Sequence, residues 1–457
     1  MNYDLLKSKI MNRQAVVGVI GLGYVGLPLA VEMAKAGYKV IGIDLSKEKV
    51  KQLQVGKSFI LDVSDKELQQ VAANGNFEAT TDYARVGEMD TISICVPTPL
   101  RKTKDPDITY ITAAVRGIKE HMKKGTLIIL ESTTYPGTTE ELVRAELEEC
   151  GLEVGVDFFL CFSPERVDPG NKHYNTKNTP KIIGGTTPQC SRLASMLYEN
   201  VLESVVTVSS TKVAETVKLL ENTFRAVNIA LVNEMALMCD RMGIDVWEVI
   251  DAAATKPFGF MKFTPGPGIG GHCIPIDPMY LSWKAKTYDF YNKFIELASD
   301  TNGNMPRYVV NKVSDALNLQ RKCINGSRIL LLGVAYKKDI NDLRDSPGLE
   351  LFRLLQEKGA RTDFHDPFVD RFLDESTGDY VYGVGLDHIQ EYDLVLLVTD
   401  HSSLDYRWIA ANAQLVLDTR NAFAGIESSN IIKIGAPLPE YPQASLMETE
   451  AAATKED

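Results

Sequence analysis

Short uninterrupted apolar runs punctuate the first two hundred residues: AVVGVIG, KVIGID, TISICV, TLIILES, FFLCFSP, KIIGG and SVVTVS. Runs without polar alternation suit strands covered on both faces, as in a parallel sheet. Helical stretches separate them, so the strand–helix–strand order predicts a doubly wound α/β domain over residues 1–210. From about Thr211 the period changes. Val213, Val217, Leu220, Phe224, Val227, Leu231, Met235 and Met238 recur at spacings of three and four, which predicts one long helix stopped near Gly243. Its apolar stripe reads as domain core in preference to a dimer face. More helix follows to Ala254, then a glycine- and proline-rich loop, and helical patterning resumes from Met279 to the region of Leu317. Residues 211–322 thus form a central helical segment. The runs RILLLGVAY, RTDFHDP, YDLVLLVTD and QLVLDTRN predict a second small parallel sheet over 323–440, and the polar, acidic residues 441–457 read as a disordered tail. The expected fold is α/β: two doubly wound, Rossmann-like parallel-sheet domains joined by a central helical segment with one long helix.

Composition narrows the partners. The 457 residues carry 49 Lys and Arg against 61 Asp and Glu, a net charge of −12. That balance argues against a nucleic-acid backbone as main partner. No apolar run approaches a membrane span, and the N-terminus MNYDLLKSKIMNRQ has no signal-like apolar region. Seven cysteines stand at 95, 150, 161, 190, 239, 273 and 323, with no CxxC pair and no zinc-like spacing to histidine. No metal is expected; apart from Cys273, reduced and buried thiols in a cytoplasmic protein are.

Two stretches carry chemistry on their own residues. Gly21, Gly23 and Gly26 form GxGxxG directly after a strand and opening a helix. The first glycine allows a tight turn, the second lets a pyrophosphate approach the backbone, and the third lets helix and strand pack closely. Asp44 ends the next strand, where a carboxylate accepts the hydroxyls of an adenine ribose and would repel a 2′-phosphate, so NAD is expected rather than NADP. The second stretch is GPGIGGHCIPIDP, Gly266 to Pro278, which holds Cys273 among four glycines and three prolines. A loop so costly in backbone order reads as a site rather than a spacer. On the long helix, Lys218 and Asn222 are spaced i, i+4 and share one face.

The fingerprint, ESTTYPGTT, SPERVDPG, AETVKLLENT and GGHCIPID, in this order, resemble the UDP-glucose/GDP-mannose dehydrogenase family from Ala15 to about Gly435. KPFGFMKFTPGPGIGGHCIPIDPMYLSWKA and VPTPLRKTKDPDITYI are most similar to the branch acting on UDP-N-acetylhexosamines. The resemblance implies an NAD domain, a central dimerisation segment and a UDP-binding domain, hence a homodimer. It implies oxidation of a sugar C6 alcohol to a carboxylate with two NAD⁺, the product serving surface polysaccharide. Cys273 would then be the nucleophile that traps the aldehyde as a thiohemiacetal and carries the thioester. His272 beside it is given no firm part, since sequence neighbours often point apart. Lys218 and Asn222 would approach the oxyanion at C6, Asp277 would orient the lysine or a water, Thr133 would lie near C6, and Glu165 would act as base toward the hydrolytic water. Tyr24, Val25, Thr98, Thr133 and Arg344 join Gly21, Gly23, Gly26 and Asp44 on the cofactor side. Glu165, Arg166, Lys218, Asn222, Gly270, Lys337 and Arg420 fall on the UDP-sugar side. Glucose enzymes of the family often carry a second Glu where this chain has Pro169, which leaves open whether Asp168 substitutes. They commonly read CLPKD where this chain reads CIPID, so Ile276 replaces a lysine and UDP-N-acetylglucosamine is the expected sugar. Within the family, UDP-glucose and UDP-N-acetylmannosamine remain as alternative sugars; beyond it, a two-electron dehydrogenase of the 6-phosphogluconate type and a non-catalytic NAD-sensing protein remain as alternatives. Counting NADH per sugar separates the three classes: two, one or none.

Overall fold

The computed structural model describes residues 1–439 apart from 61, 102–104, 168–170, 172 and 272. Asp168, Pro169, His272 and the tail 441–457 therefore lie outside the described residues. The chain divides into two compact units, Met1–Thr223 with Ile276–Tyr291, and Phe224–Pro275 with Asn292 onward. The segment 211–322, expected as a helical part by itself, is shared between them. The long helix Thr211–Met242 contributes residues to both.

The first unit is built on an eight-stranded sheet. Its strands are β1 (Val16–Ile20), β2 (Lys39–Ile43), β3 (Phe77–Thr80), β4 (Thr91–Ile94), β5 (Leu127–Leu130), β6 (Phe159–Phe162), β7 (Lys181–Gly185) and β8 (Val205–Val208). Their order is β3-β2-β1-β4-β5-β6-β7-β8. Seven of these are the apolar runs; β3, reading FEAT, is too short and too polar to stand out. The order reverses at β1 and β4, so ligands are expected beyond the carboxyl ends of those strands. One expectation is corrected. The sheet is not wholly parallel, because β7 runs antiparallel to β6. The edge strand β8 is also only half-covered, despite its continuous apolar sequence.

The second unit holds β9 (Arg328–Leu332), β10 (Arg361–His365), a small hairpin of β11 (Arg371–Leu373) and β12 (Tyr380–Tyr382), then β13 (Leu394–Leu397), β14 (Val416–Asp418) and β15 (Ile431–Lys433). Apart from the hairpin these strands form one parallel sheet of order β10-β9-β13-β14-β15. Val309, Val313 and Leu317 of the helix Lys293–Leu319 share a core cluster with Ile329, Leu331 and Leu396 of that sheet.

Most of the apolar stripe of the long helix is not core, although Val217 and Met235 pack against the two core clusters. Leu220 is 62% exposed and Leu231 56%, and Val213, Phe224 and Met238 are exposed with them. The buried face includes Ala214, Leu219, Ala226, Ala230, Val232, Ala236 and Cys239, interleaved with Thr211, Glu215, Lys218, Asn222 and Asn233. Small side chains let neighbouring backbone come close, and the polar ones are held by hydrogen bonds. Periodicity identifies a face without saying whether it is covered. The helix stops as expected, at Gly243 with φ +71°. The thiols also differ from expectation: Cys150 and Cys323 are exposed, whereas Cys95, Cys161, Cys190 and Cys239 are buried. Among the described residues no helix is long and apolar enough to cross a membrane.

Candidate active site

Beyond β1 the chain forms a cradle fitted to a dinucleotide. Gly21 has φ +91°, and a Cβ there would stand 2.6 Å from the Cys95 carbonyl oxygen. A Cβ on Gly26 would collide with the Gly21 carbonyl oxygen, whereas one on Gly23 would meet none of the described residues within 4 Å. The first and third glycines are thus packing requirements, and the second leaves the open approach a pyrophosphate needs. Among the described residues no side chain caps the helix Gly26–Lys35, and the Leu27 N–H donates to the Gly23 carbonyl at 3.1 Å, so the N-terminus of the helix faces the cradle without a side chain across it. Asp44 is held at the end of β2 by the Leu22 and Ser46 N–H groups, at 3.0 and 2.9 Å. Tyr24 is exposed, Val25 half-buried and Thr98 buried, its carbonyl accepting from the Tyr280 hydroxyl at 2.6 Å.

Four segments of the same unit bring charged groups together. Thr133 follows β5, Glu165 follows β6, Lys218 and Asn222 lie on the buried face of the long helix, and Asp277 opens the helix Asp277–Lys286. The Lys218 ammonium donates to the Thr133 hydroxyl and stands 3.9 Å from Asp277 Oδ2. Asn222 Nδ2 donates to the same oxygen at 2.6 Å. Asp277 is fully buried, and among the described residues its Oδ1 has no hydrogen-bond partner. Burial pushes its carboxyl up to about 6, against the opposing pull of Lys218 and Asn222. An ammonium, an amide and a hydroxyl thus converge in a site largely shielded from water, which is the equipment for an alkoxide developing on a substrate.

Sequence reasoning missed several members of this cluster. Lys181, at the start of β7, donates to Glu131 Oε2 at 2.6 Å and to Glu165 Oε2 at 3.2 Å. Glu215, which lies inside the AETVKLLENT motif, is buried and accepts from the Gly137 N–H at 2.5 Å and from the Thr139 N–H and hydroxyl at 2.8 and 2.7 Å. It ties the turn after Thr133 to the long helix. Burial, more than those donors offset, lifts its carboxyl to about 7. The available signal for Lys181 was a lysine opening an otherwise apolar strand. Arg166, expected at the sugar, forms a two-pronged pair with Glu221 at 2.6 and 3.1 Å and donates to the Pro180 carbonyl at 2.8 Å.

In the second unit the structure explains the glycines of the cysteine loop. A Cβ on Gly270 would lie 2.7 Å from the Asp345 carbonyl oxygen, and one on Gly271 would lie 2.7 Å from the Tyr336 ring. The Gly271 N–H donates to the Arg344 carbonyl at 2.8 Å, so the loop is laid directly on the segment 336–347. Further upstream, the Gly266 N–H donates to Asn233, which is bonded to Asn302. A Cβ on Gly266 would lie 2.6 Å from the Arg420 guanidinium, whose Nε donates to the Val398 carbonyl at 2.8 Å. Cys273 and Lys337 are half-buried. Arg344 is exposed and pairs with Asp342 at 2.6 Å.

Comparison with known proteins adds a family pattern to this geometry. Residues 15–202, 212–304 and 330–425 match, in order, the NAD binding, central and UDP binding domain models of the UDP-glucose/GDP-mannose dehydrogenase family. The chain is 37% identical over 389 residues to a UDP-N-acetyl-D-glucosamine 6-dehydrogenase of Pseudomonas aeruginosa, covering 84% of this chain and 90% of that protein. It is 36% identical over 411 residues to a UDP-N-acetyl-D-mannosamine dehydrogenase of Pyrococcus horikoshii, covering 89% and 95%. A solved structure of a UDP-D-ManNAc dehydrogenase from Pyrococcus horikoshii superposes with a TM-score of 0.85 at 33% identity, covering 92% of this chain and 99% of that one.

Proposed function

Since the chain belongs to the UDP-glucose/GDP-mannose dehydrogenase family, we propose that it oxidises the C6 hydroxyl of a UDP-N-acetylhexosamine to the carboxylate, with UDP-N-acetylglucosamine preferred. The observation that carries this reading is the buried cluster of Lys218, Thr133, Asn222 and Asp277 in the unit that holds the dinucleotide cradle. Lys218 and Asn222 stabilise the C6 oxyanion, and Asp277 keeps Lys218 oriented. When bound, NAD⁺ supplies a hydride acceptor for each of two oxidations. The Cys273 thiolate adds to the C6 aldehyde, because a tetrahedral adduct releases hydride where a bare aldehyde does not. Glu165 takes a proton from the water that attacks the thioester carbonyl, and the C–S bond breaks to return the thiolate. Lys337, Arg420 and the backbone of Gly270 contact the UDP-sugar.

The same cluster serves a UDP-N-acetylmannosamine enzyme, and the Pyrococcus relatives favour that second reading. Ile276, buried in this chain, removes the positive charge that a lysine there would offer and can face an acetamido methyl. Burying a methyl and satisfying one amide is worth about 2–3 kcal/mol, roughly 30- to 150-fold in kcat/KM over UDP-glucose. Initial rates with UDP-N-acetylglucosamine, UDP-N-acetylgalactosamine, UDP-N-acetylmannosamine and UDP-glucose decide it, with two NADH expected per sugar. A preference for UDP-glucose overturns the branch assignment, and one NADH per sugar overturns the two-step chemistry.

A homodimer is part of this reading. The apolar side chains exposed along the long helix, Leu220, Phe224, Leu231 and Met238, favour a second copy as their cover. Sedimentation equilibrium should give twice the 50.6 kDa chain mass, and Leu231→Glu should shift the species toward monomer. A monomeric wild type at micromolar concentration removes this part.

A further inference from the structure

Lys181 has no part in the chemistry described so far, yet it is 4% exposed at the carboxyl ends of β5 and β6. Its place follows from topology. Cys161 pairs with Gly185 and Phe162 with Gly184 across the antiparallel junction, so the same register carried onward brings Lys181 level with Glu165. A parallel β7 would have opened at the opposite edge of the sheet. Glu165 is held on both oxygens: Oε1 accepts from the Arg166 and Val167 N–H groups, each at 2.8 Å, and Oε2 from Lys181. Glu131, 1% exposed, takes the shorter arm of the lysine and also accepts from the Tyr198 hydroxyl.

We propose that Lys181 is a positioning residue for thioester hydrolysis: its ammonium, shared between Glu131 and Glu165, keeps Glu165 an ionised and oriented base. This rests on the assignment of Glu165 as the base toward water. The charged groups facing Glu165 are Lys181 from β7, Glu131 from the end of β5 and Lys218 from the long helix, with the Cys95 thiol and Tyr198 phenol behind them. Burial alone would push the Glu165 carboxyl up, but Lys181, the Val167 amide and Lys218 together hold it below its ordinary value. Lys181 resists the lowering effect of burial through Glu131 and Glu165 and stays above its ordinary value. Glu131 has a second task. By drawing the ammonium to 2.6 Å it keeps Glu165 from being fully neutralised, and so leaves it basicity to spend on water.

The test is the acid limb of the thioester hydrolysis rate, read in single turnover as loss of the Cys273-bound sugar after rapid quench. A buried carboxylate without a cation titrates several units high, so Lys181→Met is expected to move the limb up by about one pH unit or more, roughly a fivefold loss or greater at the old midpoint. Lys181→Arg should restore it. Glu131→Gln disturbs the same cluster but keeps the cation, and should leave the limb no higher than in the wild type. An active Lys181→Met enzyme with an unmoved limb overturns the proposal. If that variant does not fold, isotope-edited infrared titration of the wild-type protein decides, the Glu165 band being the one lost in Glu165→Gln. A carboxylate signal persisting below about pH 5 is expected, and protonation above about pH 6 overturns the proposal. Because this readout needs no turnover, a chain that oxidised no UDP-sugar would sink the functional reading without deciding the role of Lys181.

Discussion

Cys273→Ser is expected to lose steady-state turnover by on the order of 10³-fold or more, while still releasing NADH from the first oxidation. The alcohol-to-aldehyde step needs an oxyanion site but no nucleophile, and in the proposed function Lys218 and Asn222 supply that site. The second step needs an adduct. A serine hydroxyl is far less ionised than a thiol at neutral pH, and the ester it forms hydrolyses more slowly than a thioester. Rapid-quench measurements should therefore show about one NADH per site in the fast phase, then a slow phase with a sugar ester on Ser at position 273 visible by intact mass. Full turnover in this variant removes the thiol from the mechanism. An equal loss of both phases would place Cys273 in binding instead.

The parts of this site that were legible in the sequence are the local ones. Gly21, Gly23, Gly26 and Asp44 lie within one strand–helix–strand unit, so their spacing already contains their geometry. Lys218 and Asn222 are one helical turn apart, and their shared face follows from the period alone. Lys181 was not legible, because its partners sit 16 and 50 residues away in sequence and meet it only through the reversal of β7. Nothing in the run KIIGG distinguishes a strand entering from one edge or the other. The long helix shows the opposite failure, a clear pattern assigned to the wrong surroundings. Its large apolar residues form the more conspicuous stripe, but alanines and hydrogen-bonded polar groups make the buried one. The family resemblance supplied roles for Asp277 and Glu165 that no spacing contained. The structure adds the physical reason these two carboxyls differ: one is short of donors, and the other has three.

That difference makes Asp277→Asn the more informative of the two large-effect variants, because activity and stability should move in opposite directions. Asp277 is fully buried, and its carboxyl is pushed up to about 6 by burial despite Lys218 and Asn222. The unfolded chain titrates near ~3.9, so between these values the native state binds more protons than the unfolded state. Stability therefore falls as pH rises through that window. The full cost is present above about pH 6 and absent below about pH 4, and two pKa units correspond to roughly 3 kcal/mol. Asparagine has no charge to bury. The pull of Lys218 is already contained in that shift, and part of the cost is incurred by pH 4.5, so the variant-minus-wild-type Tm should grow by about 2–4 °C between pH 4.5 and 7.5. Comparing two pH values cancels the pH-independent effects of the substitution, and Glu215, which titrates higher, is common to both proteins. In the same variant kcat should fall by about 10²-fold or more, since Lys218 loses the carboxylate that orients it toward the oxyanion, and the acid limb near pH 6 in the rate of the first NADH release should vanish. A Tm difference that stays flat across the window contradicts the buried-charge account. A limb that survives in Asp277→Asn transfers it to another group, and retained kcat would free Lys218 from any need of this carboxylate. Retaining an ionised carboxylate with an oxygen that none of the described residues satisfies is costly for folding, and that cost is accounted for if the charge holds the lysine where the substrate's oxygen becomes an anion.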